Sequence, residues 1–321
     1  MELRQLGNTN IKISPVALGC WPIAGLTSPG ANDADSLAAI QECFELGINH
    51  LDTAFMYGAN GESEKLIACA VAGRRDEMVI ATKGGLHLGP KCEILHDGSP
   101  ETLRKECEES LSRLKTDRVE LYYLHAPDPN VPVAESAGEL KKLLDEGKTL
   151  AVGVSNMSVE QLEKFSAECP IAAFQPAYNM LLRQIEMDTL PWCREHNVSV
   201  FVYWPLLKGL LAGKITRDHV FAETDSRCKY PMFVGEEWEK NHILLDKLRE
   251  IAKDAGHTVA ELVINWTINQ SGITCALCGA KRPDQIRETA GGAGWHLTSD
   301  QLERIDNALR ERGEPTSVLP V

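Results

Sequence analysis

Eight short β-type runs recur along the chain, and most are followed by a helical pattern. This alternation constrains the fold more than any other feature. The runs are "VALGC" (residues 16–20), "INHLDTA" (48–54), "MVIATK" (78–83), "VELYYLH" (119–125), "LAVGVSN" (150–156), "AAFQPAYN" (172–179), "VSVFVYWPL" (198–206) and "TCALCGA" (274–280). The helices between them are well punctuated. Asn60 is expected to cap a helix whose first turn holds Glu62 and Glu64. Ser99-Pro100 sets a cap and an N1 proline before Leu103, Cys107, Leu111 and Leu114. Ser158/Gln161, Thr258/Glu261 and Thr298/Gln301 have capping-box spacing, and Gly47 and Gly147 stand as C-cap glycines. Eight βα units in a chain of 321 residues predict an α/β fold, a (β/α)₈ TIM barrel. A doubly wound sheet would carry a Gly-rich turn after its first strand; "GCWPIAG" has no such G-x-G-x-x-G. Residues 3–13 read as an N-terminal β-hairpin around "GNTN". Residues 207–236 form a long loop at the C-terminal face, as a lid or binding loop would. No linker or repeat divides the chain, so residues 1–321 are expected to form a single barrel domain.

The net charge of −13 argues against nucleic acid, whose phosphates need a basic face. The uncharged run 262–280 approaches membrane-span length, but Asn265, Asn269, Gln270, Ser271 and Gly272 divide it into helix, turn and strand. Membrane insertion is therefore not expected. The N-terminus carries charges at once and shows no apolar signal region. Ten cysteines are scattered, and only Cys275 and Cys278 have paired spacing. A lone CxxC is weak evidence for zinc, and no metal site is expected. Reduced thiols without a signal region fit a cytoplasmic protein.

In a barrel, chemistry collects where the strands end. The second run ends at Asp52, the third at Lys83, the fourth at His125 and the fifth at Ser155-Asn156. The sixth carries Gln175, and the seventh ends at Tyr203-Trp204. Each alone has a bland reading: Asp52 as a cap, Lys83 as a solvated amine, His125 as a rim histidine, Tyr57 as an interfacial aromatic. Together they face one mouth. A tyrosine's reference pKa near 10 is too high for easy proton exchange at neutral pH. A nearby ammonium pulls it down, and a carboxylate holds that ammonium charged. Asp52, Lys83 and Tyr57 are thus the parts of a tuned general acid–base, with His125 placed to orient a carbonyl oxygen.

The motifs "LDTAFMYG…SE", "VIATKGG", "YYLHAPDP", "VGVSN", "FQPAYN", "YWPLLKGLLAGK" and "CGAKRPDQIRE" stand in the order of the aldo-keto reductases, and the chain resembles that family from "LGNTNIKISPVALG" to about Arg312. The resemblance implies a barrel that binds NADP(H) without a Rossmann fold. By position, Asp52, Tyr57, Lys83 and His125 match the catalytic tetrad. Ser155, Asn156 and Gln175 match the residues holding the nicotinamide carboxamide, and Tyr203 the ring stacked on the nicotinamide. Trp204, Pro205, Leu206, Leu207, Lys208 and Lys214 match the strand end and loop beside the pyrophosphate. Arg227 resembles the family's loop arginine. Gly279, Lys281, Gln285, Glu288 and Thr289 match the segment around the adenosine 2′-phosphate, where Lys281, helped by Arg282, favours NADPH through charge. Cofactor contacts are also implied at Cys20, Trp21 and Asp52. Trp204 stands where many members have serine, Thr289 where asparagine often contacts adenine, and Cys20 where glycine or threonine is usual. These departures bear on cofactor affinity and preference. Cys20, beside the site, reads as either a buried inert thiol or a redox-sensitive one.

The resemblance implies reduction of an aldehyde or ketone by NADPH, with Tyr57 giving the proton. Alternatives are a sugar or polyol dehydrogenase working oxidatively, and a cofactor-sensing regulatory subunit with little turnover. The substrate is then a small carbonyl or alcohol; no protein partner is specified by the sequence. The pocket is expected to be shaped by Trp21, Met56, residues 84–99, residues 126–134 and the C-terminal tail. A metal-dependent hydrolase is disfavoured, since no H-x-H follows the first strand.

Overall fold

A computed structural model describes residues 1–25, 30–90, 93–222 and 225–316. In chain order the strands are β1 (Arg4–Gln5), β2 (Lys12–Ile13), β3 (Val16–Gly19), β4 (His50–Asp52), β5 (Val79–Gly84), β6 (Leu86–Leu88), β7 (Ile94–His96), β8 (Leu121–Leu124), β9 (Val152–Ser155), β10 (Ala173–Gln175), β11 (Ser199–Val202) and β12 (Ile273–Gly279). Eight of them close a barrel in the order β3-β4-β5-β8-β9-β10-β11-β12. Each of the eight apolar runs supplies one barrel strand. Every barrel pairing is parallel, which requires a crossover after each strand and accounts for the surrounding helices.

The two-residue period of a strand divides the core into two shells. Ala17, Val79, Ala81, Leu121, Tyr123, Ala173, Phe201, Cys275 and Leu277 point into the barrel. Val16, Leu18, Ile80, Tyr122, Val152, Val154, Phe174, Val200, Val202, Ala276 and Cys278 point out against the helices. Cys275 and Cys278 therefore lie on opposite sides of β12, both buried as small core residues. The β1–β2 hairpin plugs the base with Leu6 and Ile13. Arg4 fastens it through the carbonyls of Ile268, Ile273 and Thr274, at 2.8, 3.2 and 3.0 Å.

All three capping boxes form, at Ser158, Thr258 and Thr298. Ser99 caps the helix Pro100–Leu114, and Gly47 closes Asp33–Leu46 with φ of 69°. The expected Asn60 cap does not form. The N-cap of Glu62–Ala70 is Gly61, and the Glu62 carboxylate instead accepts from the backbone and side chain of Asn60. The acidic first turn binds the preceding loop backward rather than being capped by it. The run 262–280 divides as expected into the end of the helix Val259–Ile268, a turn and β12. Residues 207–236 hold short 3₁₀ turns at Leu207–Ala212, Ser226–Lys229 and Pro231–Phe233 before the helix Gly235–Ala255 begins. Among the described residues, no helix is long and apolar enough to cross a membrane, and no three candidate metal ligands cluster.

Candidate active site

Because side chains alternate, the last inward position of each strand lies at the barrel mouth. Asp52, Lys83 and Gln175 continue the inward rows of β4, β5 and β10. Lys83 Nζ donates to Asp52 Oδ2 and to the Thr53 carbonyl, both at 2.7 Å. The two charged side chains are 0% and 4% exposed. Such a pair is retained only where both charges are well bonded. Gln175 Nε2 donates to the other carboxylate oxygen, Asp52 Oδ1, at 2.8 Å. Burial lowers the Lys83 pKa, and the Asp52 contact works against that.

Tyr57 comes from the loop after β4. Thr53 and Phe55 donate their backbone N–H groups to the carbonyls of Ala81 and Lys83, continuing the sheet beyond Asp52. The Tyr57 N–H then turns back to Ala54, and the Tyr57 carbonyl accepts from Ser63. Behind the loop, fully buried Glu64 accepts from Thr82 at 2.7 Å and pairs with Arg113 at 3.2 Å. Arg113 also lies 4.2 Å from the Phe55 ring centroid and donates to the Phe55 carbonyl. Gly61 makes room for it: a Cβ there would meet Arg113 Cδ at 2.5 Å. The aspartate and the phenol thus share a loop pinned from two sides. The Glu64–Arg113 support had no signal in the sequence, because its members lie 49 residues apart.

Lys83 Nζ lies 4.9 Å from the Tyr57 ring centroid, and the His125 ring 5.9 Å from it, edge to face. The tuning differs from the sequence expectation. The Tyr57 phenol is pushed up from its usual pKa, chiefly by burial, then by the Asp52 charge, then by Cys20. Lys83, paired with Asp52, does not offset that rise. His125 is held well below its usual pKa by burial and then by Lys83, so it is neutral at physiological pH. Its Nδ1 is buried without a hydrogen-bond partner among the described residues. Trp21 packs on Tyr57 at 5.0 Å, and Ala54, Met56, Leu86 and Ala126 make an apolar wall beside it. Leu86 arrives on the β6–β7 hairpin, which occupies the expected loop 84–99 apart from residues 91–92, outside the described residues. The end of the C-terminal tail, residues 317–321, also lies outside them.

Asn156 adopts a left-handed φ of 58° and uses both ends of its amide. Nδ2 donates to the His125 carbonyl at 3.1 Å, and Oδ1 accepts from the Tyr203 hydroxyl at 2.8 Å. Ser155 Oγ donates to the Gln175 carbonyl at 2.7 Å. Of the three residues expected at a carboxamide, Ser155 thus braces Gln175, and Asn156 braces the histidine.

A second group lies along the loop after β11. Trp204 and Lys208 have positive φ of 58° and 53°. Lys208 Nζ lies 4.7 Å from the Trp204 ring centroid and 4.6 Å from that of Tyr230. Tyr230, absent from the sequence expectations, is brought there by the fold alone. Arg227 is forked onto Asp225 at 2.6 Å; its charge lowers the pKa of Lys208 after burial, and that of Lys281 after burial and Arg282. Lys208 and Lys281 thus each feel the Arg227 charge in a chain of net charge −13, which fits a polyanion such as a dinucleotide's phosphates. Gln285 accepts from the Lys281 backbone N–H, and Lys214 pairs with Glu288. Gly279 is exposed, while Pro205 and Leu206 run between Trp204 and the turn. Cys20 and Leu207 are fully buried, and burial raises the Cys20 thiol well above its usual pKa. The Thr289 hydroxyl turns onto the carbonyls of Gln285 and Ile286.

The comparisons with known proteins agree with this fold. The family model "Aldo/keto reductase family" matches residues 15–310. The chain is 34% identical over 312 residues to the aldo-keto reductase YhdN of Bacillus subtilis, covering 96% of this chain and 94% of that protein. It is 32% identical to probable aldo-keto reductase 1 of Glycine max, covering 95% and 88%. The structure of the glycerol dehydrogenase AKR11B4 from Gluconobacter oxydans superposes with a TM-score of 0.91 at 35% identity, covering 99% and 98%. The holo form of the aldo-keto reductase AKR11C1 from Bacillus halodurans gives 0.78 at 25%, covering 96% of each chain. With its barrel and these relatives in agreement, the chain belongs to the aldo/keto reductase family of nicotinamide-dependent oxidoreductases.

Proposed function

We propose that the protein reduces a small aldehyde or ketone to the alcohol, with NADPH as reductant and Tyr57 as proton donor. The observation that carries this reading is the Tyr57 ring beside the carboxylate-held Lys83 ammonium, 4.9 Å from its centroid, and edge to face with His125. When bound, the reduced nicotinamide supplies the hydride. Tyr57 gives its proton to the carbonyl oxygen, and His125, being neutral, offers one N–H to orient that oxygen. Lys83 stabilises the phenolate left behind, and Asp52 keeps Lys83 charged and aimed. Ser155, Asn156 and Gln175 hold the carboxamide, and Tyr203 supports the nicotinamide ring. Lys208, Arg227 and Lys281 take the phosphates, with Lys281 selecting NADPH over NADH. The wall of Trp21, Met56, Leu86 and Ala126 favours substrates with an apolar flank. We also read the chain as one domain working in the cytoplasm.

The similarity to a glycerol dehydrogenase favours a second reading, oxidation of a polyol. The phenol separates the two. Oxidation needs the phenolate, and burial together with Asp52 opposes its formation. Reduction should be flat through neutral pH and fall only as pH rises through the raised Tyr57 pKa. Oxidation should climb toward that same pKa. Following NADPH absorbance from pH 6 to 10, over panels of aldehydes, ketones and polyols, tests this. Polyol oxidation outpacing every carbonyl reduction at pH 7 would replace the reductive reading. Tight NADPH retention without turnover would favour a regulatory subunit.

A further inference from the structure

A buried carboxyl that the mechanism does not use lies behind the β6–β7 hairpin. Glu106, on the helix Pro100–Leu114, is 3% exposed. β5 ends at Gly84, and the next backbone N–H, that of Gly85, donates to Glu106 Oε2 at 2.7 Å. Two positions on, His87 Nδ1 stands 3.5 Å from Glu106 Oε1. Leu86 and Leu88 take the other face of β6, as a two-residue period requires. Leu86 packs there with Ala54, Met56 and Ala126, and Leu88, Trp21 and Tyr57 pack against that cluster. One carboxyl thus grips the strand whose opposite face closes the apolar wall beside Tyr57. The approach is close: a Cβ at Gly84 would meet Glu106 Oε2 at 3.0 Å. Gly85 has a left-handed φ of 90°, which suits glycine, and its carbonyl accepts from the Asp97 N–H at 3.0 Å. That bond ties the returning arm of the hairpin to Gly85, and Glu106 ties Gly85 to the helix. Burying a carboxyl costs more than burying an apolar side chain, but an apolar residue here would leave the Gly85 N–H without this acceptor.

We propose that Glu106 is a positioning residue, which holds Gly85 and so sets Leu86 and Leu88 against the mouth, fixing how well the site accepts a carbonyl compound with an apolar flank. This rests on the reductive reading of the site. Glu106 touches neither the substrate nor the reacting atoms; it acts through the Gly85 N–H and the strand that follows. Burial pushes its carboxyl up to about 8, against the pull of the Gly85 hydrogen bond. A neutral side-chain amide is therefore a close stand-in for it, provided that its oxygen takes the same N–H.

The test compares an aldehyde with an apolar flank, hexanal, with one that has none, acetaldehyde, as a ratio of kcat/KM. Glu106→Leu removes the acceptor, and the ratio should fall about two- to tenfold, mainly through KM for hexanal. Glu106→Gln keeps an acceptor oxygen and should hold the ratio near that of wild type. If Glu106→Leu does not fold, Glu106→Asp, which withdraws the carboxyl by one methylene, should show the same fall. A lower thermal midpoint with an unchanged ratio would make Glu106 purely structural and overturn the proposal. A Glu106→Gln ratio as low as that of the acceptor-removing variant would overturn it too. Leu86→Ala is the control on the wall and should lower the ratio directly; an unchanged ratio there would also sink the proposal. If wild type reduces no carbonyl, the reductive reading itself fails. If wild type is active and Leu86→Ala lowers the ratio while the Glu106 variants match wild type, only this inference fails.

Discussion

In the proposed reaction the mouth residues and the cation cluster act together, but the fold builds them in opposite ways. Asp52, Lys83 and Gln175 sit on strand ends, nearly devoid of exposure, and every charge among them is spent on another. Lys208 and Arg227 of the cluster sit on 3₁₀ turns, and the Arg227 side chain is 31% exposed. The first group is fixed before any ligand arrives. The second holds its cations on aromatic faces and short surface ion pairs, which water screens and a phosphate can replace. Proton transfer needs distances set in advance, whereas binding a charged, extended ligand needs charges that can be handed over.

The most direct way to break this comparison is Tyr57→Phe. Loss of one hydroxyl at the mouth should leave folding and NADPH binding nearly intact. Reduction should fall by about 10²–10⁴-fold, mainly in kcat, since the proton is given in the transition state. Steady-state kinetics with cofactor binding measured separately would show it; near-normal kcat would remove Tyr57 as the donor.

Asp52→Asn tests whether the mouth is also a structural element. Lys83 would keep its burial and lose its counter-charge, an arrangement that costs about 3–5 kcal/mol of stability. Denaturant unfolding should show that loss at neutral pH, together with reduced turnover. A variant as stable as wild type would mean that the Lys83 ammonium is neutralised or rehydrated at little cost. Swapping charges in the cation cluster should shift stability far less, because its members are partly solvated.

The same contrast governs what could be read from the sequence. The strand ends were legible because two-residue alternation puts Asp52, Lys83 and Gln175 in the inward rows once a barrel is assumed. The capping boxes were legible for the same local reason. The Tyr57 environment was not. Its pKa is set by how deeply the ring is buried and by where Lys83 aims its ammonium, and neither is encoded in spacing. Asn60 read as a cap, but Glu62 took its hydrogen bonds. Tyr230 and the Glu64–Arg113 support join residues far apart in the chain, so only folded distances reveal them. Lys208, Arg227 and Lys281 were legible only through family resemblance; the seat of Lys208 between the Trp204 and Tyr230 rings emerges from packing.

Lys281→Ala sharpens the comparison at the cluster. If Lys281 meets the 2′-phosphate, its removal should weaken NADPH about ten- to a hundredfold and NADH little. Raising the salt concentration should shrink the difference, as expected of exposed charges. Fluorescence titration of both cofactors decides it. Equal losses for the two would place Lys281 elsewhere on the cofactor.

Tyr203 joins the two regions, so its substitution gives the smallest and most discriminating effect. The ring meets Trp204 edge to face at 6.0 Å, on the side of the cation cluster. The hydroxyl donates to Asn156 Oδ1, whose Nδ2 holds the His125 carbonyl. Stacking on the nicotinamide would need only the ring. Tyr203→Phe keeps that ring and breaks the link to Asn156, a net loss of about 0.5–1.5 kcal/mol, or roughly two- to tenfold. If the mouth is fixed through Asn156, the loss should fall in kcat while NADPH affinity holds. Tyr203→Ala should add a clear loss of NADPH affinity. A Tyr203→Phe variant that lost cofactor affinity and kept kcat would place the hydroxyl with the binding region, and the division between a fixed mouth and an adaptable cofactor cluster would have to be drawn on the other side of Asn156.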